Sequence, residues 1–329
     1  MNKLNNNSHN SPLVTIGIPV YNLPFKIFKK LFDQVLNQTY KKLDILVVDD
    51  GSASPSKTLL YIEECAKKDK RIRFFKNEKN MGVAFTRQRI VNNIVGDYFI
   101  FVDGDDYIEL DFVGNMILPL LDCDYGTAIS CCAIKEYGKK TKINNKTVKY
   151  DGEILEHFFQ GRFTTSLNNK MLPASIASSL KFDETKGQED VSVMIDVFKQ
   201  CKQVYRLYGT IYYYRKRRNS LSNSCSKKMA YLVYLSSKYN YEQAMNLKIS
   251  EKALERLHAV YKLNEFVVAC IRYQYANNVS REDDILKELK TYTQNDFGIQ
   301  EGYLKKIRFV VKRPRLSKMF YKIKYRKNK

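Results

Sequence analysis

The feature that most limits the fold is an alternation in the first hundred residues. Four short apolar runs, LVTIGIP, DILVVDD, IRFFKN and DYFIFVD, are separated by stretches whose apolar residues recur at helical spacing. Runs that are continuously apolar belong to strands buried on both faces, and strands alternating with helices build a parallel sheet covered by those helices. The helical stretches are FKIFKKLFDQVLNQ from Phe25, the residues after DDGS to about Lys68, and VAFTRQRIVNNIV. In an open sheet of this kind ligands sit beyond the carboxyl ends of the strands. Three polar sequences fall at those ends, PVYN, DDGS and DGDD, so the alternation predicts that they converge on one edge.

Beyond about Asp122 the pattern becomes mixed. A strand-like YGTAISCCAI, a lysine-rich hairpin near KKTKINNKTVKY, a helix beginning near Asp151 and the strand-rich QVYRLYGTIYYYRKRRNSLS follow in turn. From about Asn223 to Thr293 long helical patterns run without glycine or proline, and no internal repeat is evident. The organisation read from this is an α/β domain over residues 1–222, a helical appendage over 223–302 and a basic tail over 303–329.

Charge is unevenly placed. The chain carries a formal net charge of +21, and 12 of the basic residues, with no acid among them, lie between Tyr303 and Lys329. Apolar and aromatic residues interleave with these cations, Pro314 would break a helix there, and both residue types suit an anionic membrane surface. No run reaches the roughly 20 apolar residues of a membrane span. The N-terminal MNKLNNNSHNSP lacks the apolar segment of a secretory signal, so a cytoplasmic protein, peripheral at the inner membrane face, is expected. The seven cysteines are scattered without CxxC spacing, and only His9, His157 and His258 are available. Zinc binding and histidine-based nucleophilic catalysis therefore have little to build on. Nucleic-acid binding, suggested by charge alone, predicts strongly salt-dependent association and indifference to loss of Asp103.

The three clusters carry different chemistry. In FIFVDGDDYIEL a turn accounts for the glycine and one acid, but not for Asp103, Asp105 and Asp106 together. Asp103 and Asp105, flanking Gly104, can converge on a hard divalent cation such as Mg²⁺ or Mn²⁺, which leaves positions for phosphate or water. In DDGS, Asp49 and Asp50 either cap a turn or accept hydrogen bonds from a nucleobase imide or a ribose hydroxyl. In PVYN, from Pro19 to Asn22, Tyr21 either covers the sheet end or offers a ring face to a base.

PVYN, DDGS, NMGVAFTRQR, FVDGDD and GQED, in that order, resemble the family 2 glycosyltransferases over residues 14–222. The resemblance implies the GT-A nucleotide-sugar-binding fold, with a mostly parallel central sheet, and a nucleoside-diphosphate sugar as donor, most often UDP-linked. It places Pro19, Tyr21 and Asn22 near the base and gives uracil to Asp49 or Asp50, with Asp50 favoured. Arg87 falls near base and ribose, with Asn80 and Gly82 shaping the preceding loop. Asp103, Gly104 and Asp105 match the metal-binding DxD motif, Asp106 being the further acid usual there. In GQED, Asp190 matches the base that deprotonates an acceptor hydroxyl, with Glu189 beside it, although an acid pair opening a helix can also simply complement its dipole. Arg215, Arg218 and Ser220 match residues that close over the diphosphate, and Asn169 with Lys170 resembles an element lining the acceptor side. The implied acceptor is a glycan or lipid-linked hydroxyl, and the helical region could serve a homo-oligomer. A nucleotidyltransferase shares such a sheet and acids, but GQED and YYYRKRRNS stand against it.

Overall fold

The computed structural model describes residues 11–121, 123, 128–138, 144–215 and 227–274, with the isolated positions 284, 287 and 291. The first part of the chain is the expected alternation: β1 (Val14–Val20), α1 (Phe25–Leu36), β2 (Leu43–Asp49), α2 (Lys57–Lys68), β3 (Ile72–Lys76), α3 (Val83–Val91) and β4 (Tyr98–Phe101). These strands pair in parallel in the order β3-β2-β1-β4. Every residue of β2 and β4 is buried. Helix α1 buries Phe28, Leu31, Phe32 and Val35, the i, i+3, i+4, i+7 face that its sequence spacing predicts. At roughly 1.5–3 kcal/mol for each such side chain, this two-sided cover is the main stabilising term.

The second part continues with β5 (Tyr107–Ile108), α4 (Phe112–Ile117), β6 (Ala128–Glu136), β7 (Thr147–Asp151), α5 (Ile154–Phe159), β8 (Lys170–Pro173), α6 (Ala174–Ser179), α7 (Glu189–Ser192), α8 (Met194–Gln200) and β9 (Gln203–Tyr214). It extends the same sheet as β4-β8-β6-β9-β5, with β7 on β9. Here β8 is antiparallel to β4 and to β6, β6 runs parallel to β9, and β5 and β7 are antiparallel to β9. The expectation of a mostly parallel sheet thus describes the first half, and the second half is mixed. Strand β9 pairs with β6 through Leu207 and again from Ile211, so residues 208–210 bulge out of the ladder and re-aim the tyrosines that follow.

The described residues form two compact units. One comprises those within 11–158, 163–184 and 189–215; the other comprises 159–162, 185–188 and 227–274. The second unit is built on α9 (Lys227–Met245) and α10 (Glu251–Gln274). Tyr241 stacks on Tyr261 at 5.5 Å, the Gln188 backbone N–H donates to Ser236 Oγ at 2.6 Å, and Arg256 Nη1 donates to the Phe159 carbonyl. No helix among the described residues is long and apolar enough to cross a membrane. The tail over 303–329 lies outside them.

Candidate active site

The carboxyl ends of β1, β2 and β4 lie side by side, so PVYN, DDGS and DGDD meet at one edge as the alternation predicts. The first two loops are tied together. Asn22, held at φ +46°, accepts from the Ala53 N–H through Oδ1 at 2.9 Å, and its own N–H donates to Ser52 Oγ at 2.8 Å. Asparagine tolerates this left-handed backbone better than most residues. Tyr21 beside it is 47% exposed, leaving a ring face open.

Asp49 and Asp50 are both buried and turned to their own loops. Asp49 accepts from the Ser52 N–H at 3.0 Å and from the Ser52 hydroxyl at 2.5 Å. Asp50 Oδ1 accepts from Asn77 Nδ2 at 2.8 Å and the Met81 N–H at 2.9 Å, while Oδ2 accepts from the Gly82 N–H at 3.0 Å. Asp50 therefore holds the 77–82 loop in place. Gly51 makes this possible: at φ +70°, a Cβ would run into the Lys79 backbone. Asn80 is exposed and closes its own turn onto the Gly82 N–H at 3.1 Å.

Arg87 stands on α3 beneath this edge and is 5% exposed. Its Nη2 lies 3.4 Å from Asp103 Oδ1, its Nη1 lies 3.0 Å from Glu189 Oε1, and its guanidinium packs over the Phe101 ring at 5.4 Å. Nε has no hydrogen-bond partner among the described residues. Burial opposes the charge, but Glu189, Asp103 and Asp190 together more than offset it and hold the guanidinium firmly protonated. The side chain therefore bridges the DGDD turn to the acid pair of GQED.

Glu189 and Asp190 open α7. The Asp190 carboxyl is raised to about 6: burial pushes it up most, Arg87 pulls it part of the way back, and the negative charges of Glu189 and Asp103 add to the rise. Asp106 is pushed up to about 8, first by burial and then by the Asp103 charge. Its Oδ2 accepts from the Tyr212 hydroxyl at 2.7 Å and its Oδ1 from the Arg215 N–H at 2.8 Å. Arg215 Nε donates to the Asp105 carbonyl at 2.9 Å, and its guanidinium lies 4.3 Å from the centre of the Tyr137 ring. Gly104 lets the turn pack onto Leu23 and the Pro19 carbonyl, where a Cβ would lie 2.5 and 3.4 Å from them.

Asp103, Asp105, Asp106, Arg87, Glu189, Asp190 and Arg215 thus form one neighbourhood, adjoined by Pro19 and Gly104, and Arg218 and Ser220 lie outside the described residues. Asn169 and Lys170 do not line an open surface. Asn169 Nδ2 donates to the Cys132 carbonyl at 2.7 Å, while Lys170, 1% exposed, donates to the carbonyls of Thr164 at 2.8 Å and Ser166 at 2.5 Å and to Asn169 Oδ1 at 2.9 Å. Burial lowers the affinity of the Lys170 amine for its proton.

Sequence reasoning passed over two residues of this neighbourhood. Asn168 Nδ2 donates to Asp103 Oδ2 at 2.5 Å, and the Tyr212 hydroxyl accepts from the Asp103 N–H at 3.0 Å. Asn168 lies one position before a residue read as acceptor-lining, and Tyr212 is one of three consecutive tyrosines; neither signal separates the inward residue from its neighbours. Burial, with Asp106 and Asp103 adding, keeps the Tyr212 phenol protonated.

Residues 15–182, just over half of the chain, match the family described as glycosyl transferase family 2. Among relatives, the glycosyltransferase GlyA of Streptococcus pneumoniae is 28% identical over 227 residues, 65% of this chain but 32% of that protein. The chain thus spans about a third of that relative's length. An uncharacterized glycosyltransferase of Haemophilus influenzae is 24% identical over 294 residues, 85% of each chain. Among solved structures, S. aureus TarS residues 1–349 in complex with UDP-GlcNAc superimposes with a TM-score of 0.62 at 17% identity, covering 86% of this chain and 81% of that one. GalNAc-T7 with UDP, GalNAc and Mn²⁺ gives 0.54 at 11% identity, covering 84% and 55%. With the ordered clusters gathered at one sheet edge and the family matched across half its length, this chain belongs to glycosyl transferase family 2 and has the GT-A fold.

Proposed function

We propose that the protein is an inverting glycosyltransferase that moves a hexosyl or N-acetylhexosaminyl group from a UDP-linked sugar to a hydroxyl of a cell-surface glycan or lipid-linked acceptor. The observation that carries this is the Arg87 bridge, which holds Asp103 and Glu189 on two sides of one buried guanidinium and so keeps the DGDD turn beside the Glu189–Asp190 pair. The fold likeness to proteins crystallised with UDP-GlcNAc, or with UDP, GalNAc and Mn²⁺, supports a UDP-linked donor and a divalent cation.

No group of three or more His, Cys, Asp or Glu side chains among the described residues could cage an ion. Asp103 and Asp105 nonetheless present hard oxygen donors on a half-buried turn, which fits Mn²⁺ or Mg²⁺ completing its shell from a diphosphate and water. Bound there, the ion would neutralise charge growing on the departing nucleoside diphosphate. The chain's residues supply the rest. Tyr21 offers its exposed ring to the base, on a wall shaped by Asn22, Asp49, Asp50, Asn80 and Gly82. Arg215, with Arg218 and Ser220, supplies cationic and hydroxyl contacts to the diphosphate. Asp190, raised to about 6, is ionised at neutral pH yet basic enough to take the acceptor proton, with Glu189 beside it. One displacement inverts the anomeric centre, so an α-linked donor gives a β-linked product. The tail over 303–329 would hold the enzyme at an anionic membrane surface, where a lipid-linked acceptor is available.

The test is hydrolysis and transfer with a panel of nucleotide sugars, with and without Mn²⁺, by the wild type and Asp103→Ala. The reading expects turnover of at least one donor that Mn²⁺ stimulates and Asp103→Ala abolishes. A wild type that neither binds nor turns over any nucleotide sugar overturns it.

A further inference from the structure

The Tyr212 hydroxyl joins the two ends of the DGDD turn. It accepts the Asp103 backbone N–H at 3.0 Å and donates to Asp106 Oδ2 at 2.7 Å, and Asn168 Nδ2 approaches it at 3.4 Å. The turn closes on itself through the Asp106 N–H and the Asp103 carbonyl at 3.1 Å. Asn168 Nδ2 also reaches Asp103 Oδ2, so the two groups that hold Asp103 hold each other. Tyr212 is 1% exposed, and its ring packs edge-on to Phe112 at 6.1 Å. The phenol is thus a peg fixed by the core.

The same turn sets a charge of opposite sign. Asp106 Oδ1 accepts the Arg215 N–H and the Asp105 carbonyl accepts Arg215 Nε, so two consecutive residues of the turn fix the backbone and side chain of one arginine. Tyr212 and Arg215 lie three positions apart at the end of β9, whose preceding bulge at 208–210 sets which tyrosine faces inward. Asp106 thus spends one oxygen on the phenol and the other on a backbone N–H.

We propose that Tyr212, with Asp106 and Asn168, is the positioning device of the site: it fixes the Asp103 carboxylate and the Arg215 guanidinium relative to each other across one turn. This rests on the glycosyltransferase reading for its purpose, but the device itself is a property of the free protein. A placement error of about 1 Å at such a site is enough to cost about a hundredfold in rate. Removing one neutral hydrogen bond costs about 1 kcal/mol, roughly fivefold in any equilibrium that depends on it.

Tyr212→Phe removes the hydroxyl and keeps the ring. Hydrogen exchange in metal-free, nucleotide-free protein should show at least about fivefold faster exchange in the peptide covering 98–110, with melting temperature shifted by only a few degrees. In donor hydrolysis the half-saturating Mn²⁺ concentration should rise by about fivefold or more. Asp106→Asn should give the same pattern, and the Tyr212→Phe/Asp106→Asn double variant should be no worse than the weaker single one. Asn168→Ala, which leaves Tyr212 in place, provides an independent arm with a change in the same direction. Unchanged exchange in Tyr212→Phe and Asn168→Ala overturns the device whatever the activity, as does strict additivity of the double variant. If the wild type turns over no donor, the function reading fails while the exchange arm still decides this inference.

Discussion

The two halves of the sheet solve the same problem by different means. In the parallel half, β3-β2-β1-β4, β2 and β4 are buried throughout, Thr15 and Asp44 pair inside the sheet, and the polar residues of the site stand at or just beyond the strand ends, where Asn22, Asp49 and Asp50 hold turns. In the mixed half, β8-β6-β9-β5, polar groups stand inside the packing itself: Lys170, Asn169, Tyr212 and Asp106 are each under 3% exposed and each satisfied by named partners. At the exposed Asn22 a change is tolerated because water can replace a lost partner. Interior chemistry does not tolerate one, because an unpaired buried group keeps its full desolvation cost.

Arg87 is the side chain that reaches from the first half to acids of the second, so replacing it is the severest test of whether the halves can be treated apart. Arg87→Met keeps the packing over Phe101 but leaves Asp103, Glu189 and Asp190 without their shared cation. Breaking a buried charge arrangement from one side costs about 3–5 kcal/mol. Chemical denaturation should show a loss of that size, and transfer should fail with it. A variant of near-normal stability would mean that the acids do not depend on the guanidinium.

The next largest effect belongs to Asp190, where chemistry and stability should move in opposite directions. As the proton acceptor it accounts for about a hundredfold to ten-thousandfold in rate, so Asp190→Asn should lose that much in kcat. Below about pH 6 the wild-type carboxyl holds a proton and cannot accept another, so kcat should rise through pH 6 and level off above it. The sign for folding is the reverse. A carboxyl raised above its unfolded value contributes stability that is fully present below about pH 4 and is lost as pH climbs through 6. Asn, with no charge to bury, should flatten that loss. An Asp190→Asn protein that is active and less stable at pH 8 contradicts both assignments.

Lys170 tests the interior chemistry of the second half without touching an acid of the site. Its ammonium gathers the Thr164 and Ser166 carbonyls and so sets the loop that carries Asn168. Lys170→Met fills the space beside Phe198 but orphans those acceptors, at about 1–3 kcal/mol each when they cannot reach water. Calorimetry should show a fall in melting temperature of several degrees. If stability holds while activity falls, the amine belongs to the chemistry.

The comparison also explains what could be read from the sequence. The parallel half was legible because its two signals are separate: apolar runs mark strands, and polar clusters at their ends mark the site edge. PVYN, DDGS and DGDD converge as that logic requires. In the second half the signals are superposed. Tyr212, Tyr213 and Tyr214 are identical in sequence, and only the bulge at 208–210 decides that Tyr212 turns inward. Lys170, matched with Asn169 to an element lining the acceptor side, is a core residue by structure. Asp50 shows the converse case, a legible cluster whose favoured acid proves committed to the Asn77, Met81 and Gly82 groups.

The smallest effect falls in the loop chemistry of the first half, where Asn22 performs two tasks that one pair of variants separates. Its backbone sits at φ +46°, and its side chain holds the Ala53 N–H. Asn22→Gly keeps the backbone easy and loses the side-chain bond, which on an exposed loop costs about 0.5–1.5 kcal/mol at most. Asn22→Ala loses the same bond and adds the left-handed penalty of about 1–2 kcal/mol. Denaturation should therefore rank wild type above Gly and Gly above Ala, with the whole span smaller than the effect of Arg87→Met. If Ala equals Gly, the loop relaxes to another backbone without cost, and the first half is looser at its edge than its buried strands suggest. If Gly alone matches the cost of Arg87→Met, the tie between PVYN and DDGS matters as much as the interior pairing, and the division between loop and interior chemistry fails.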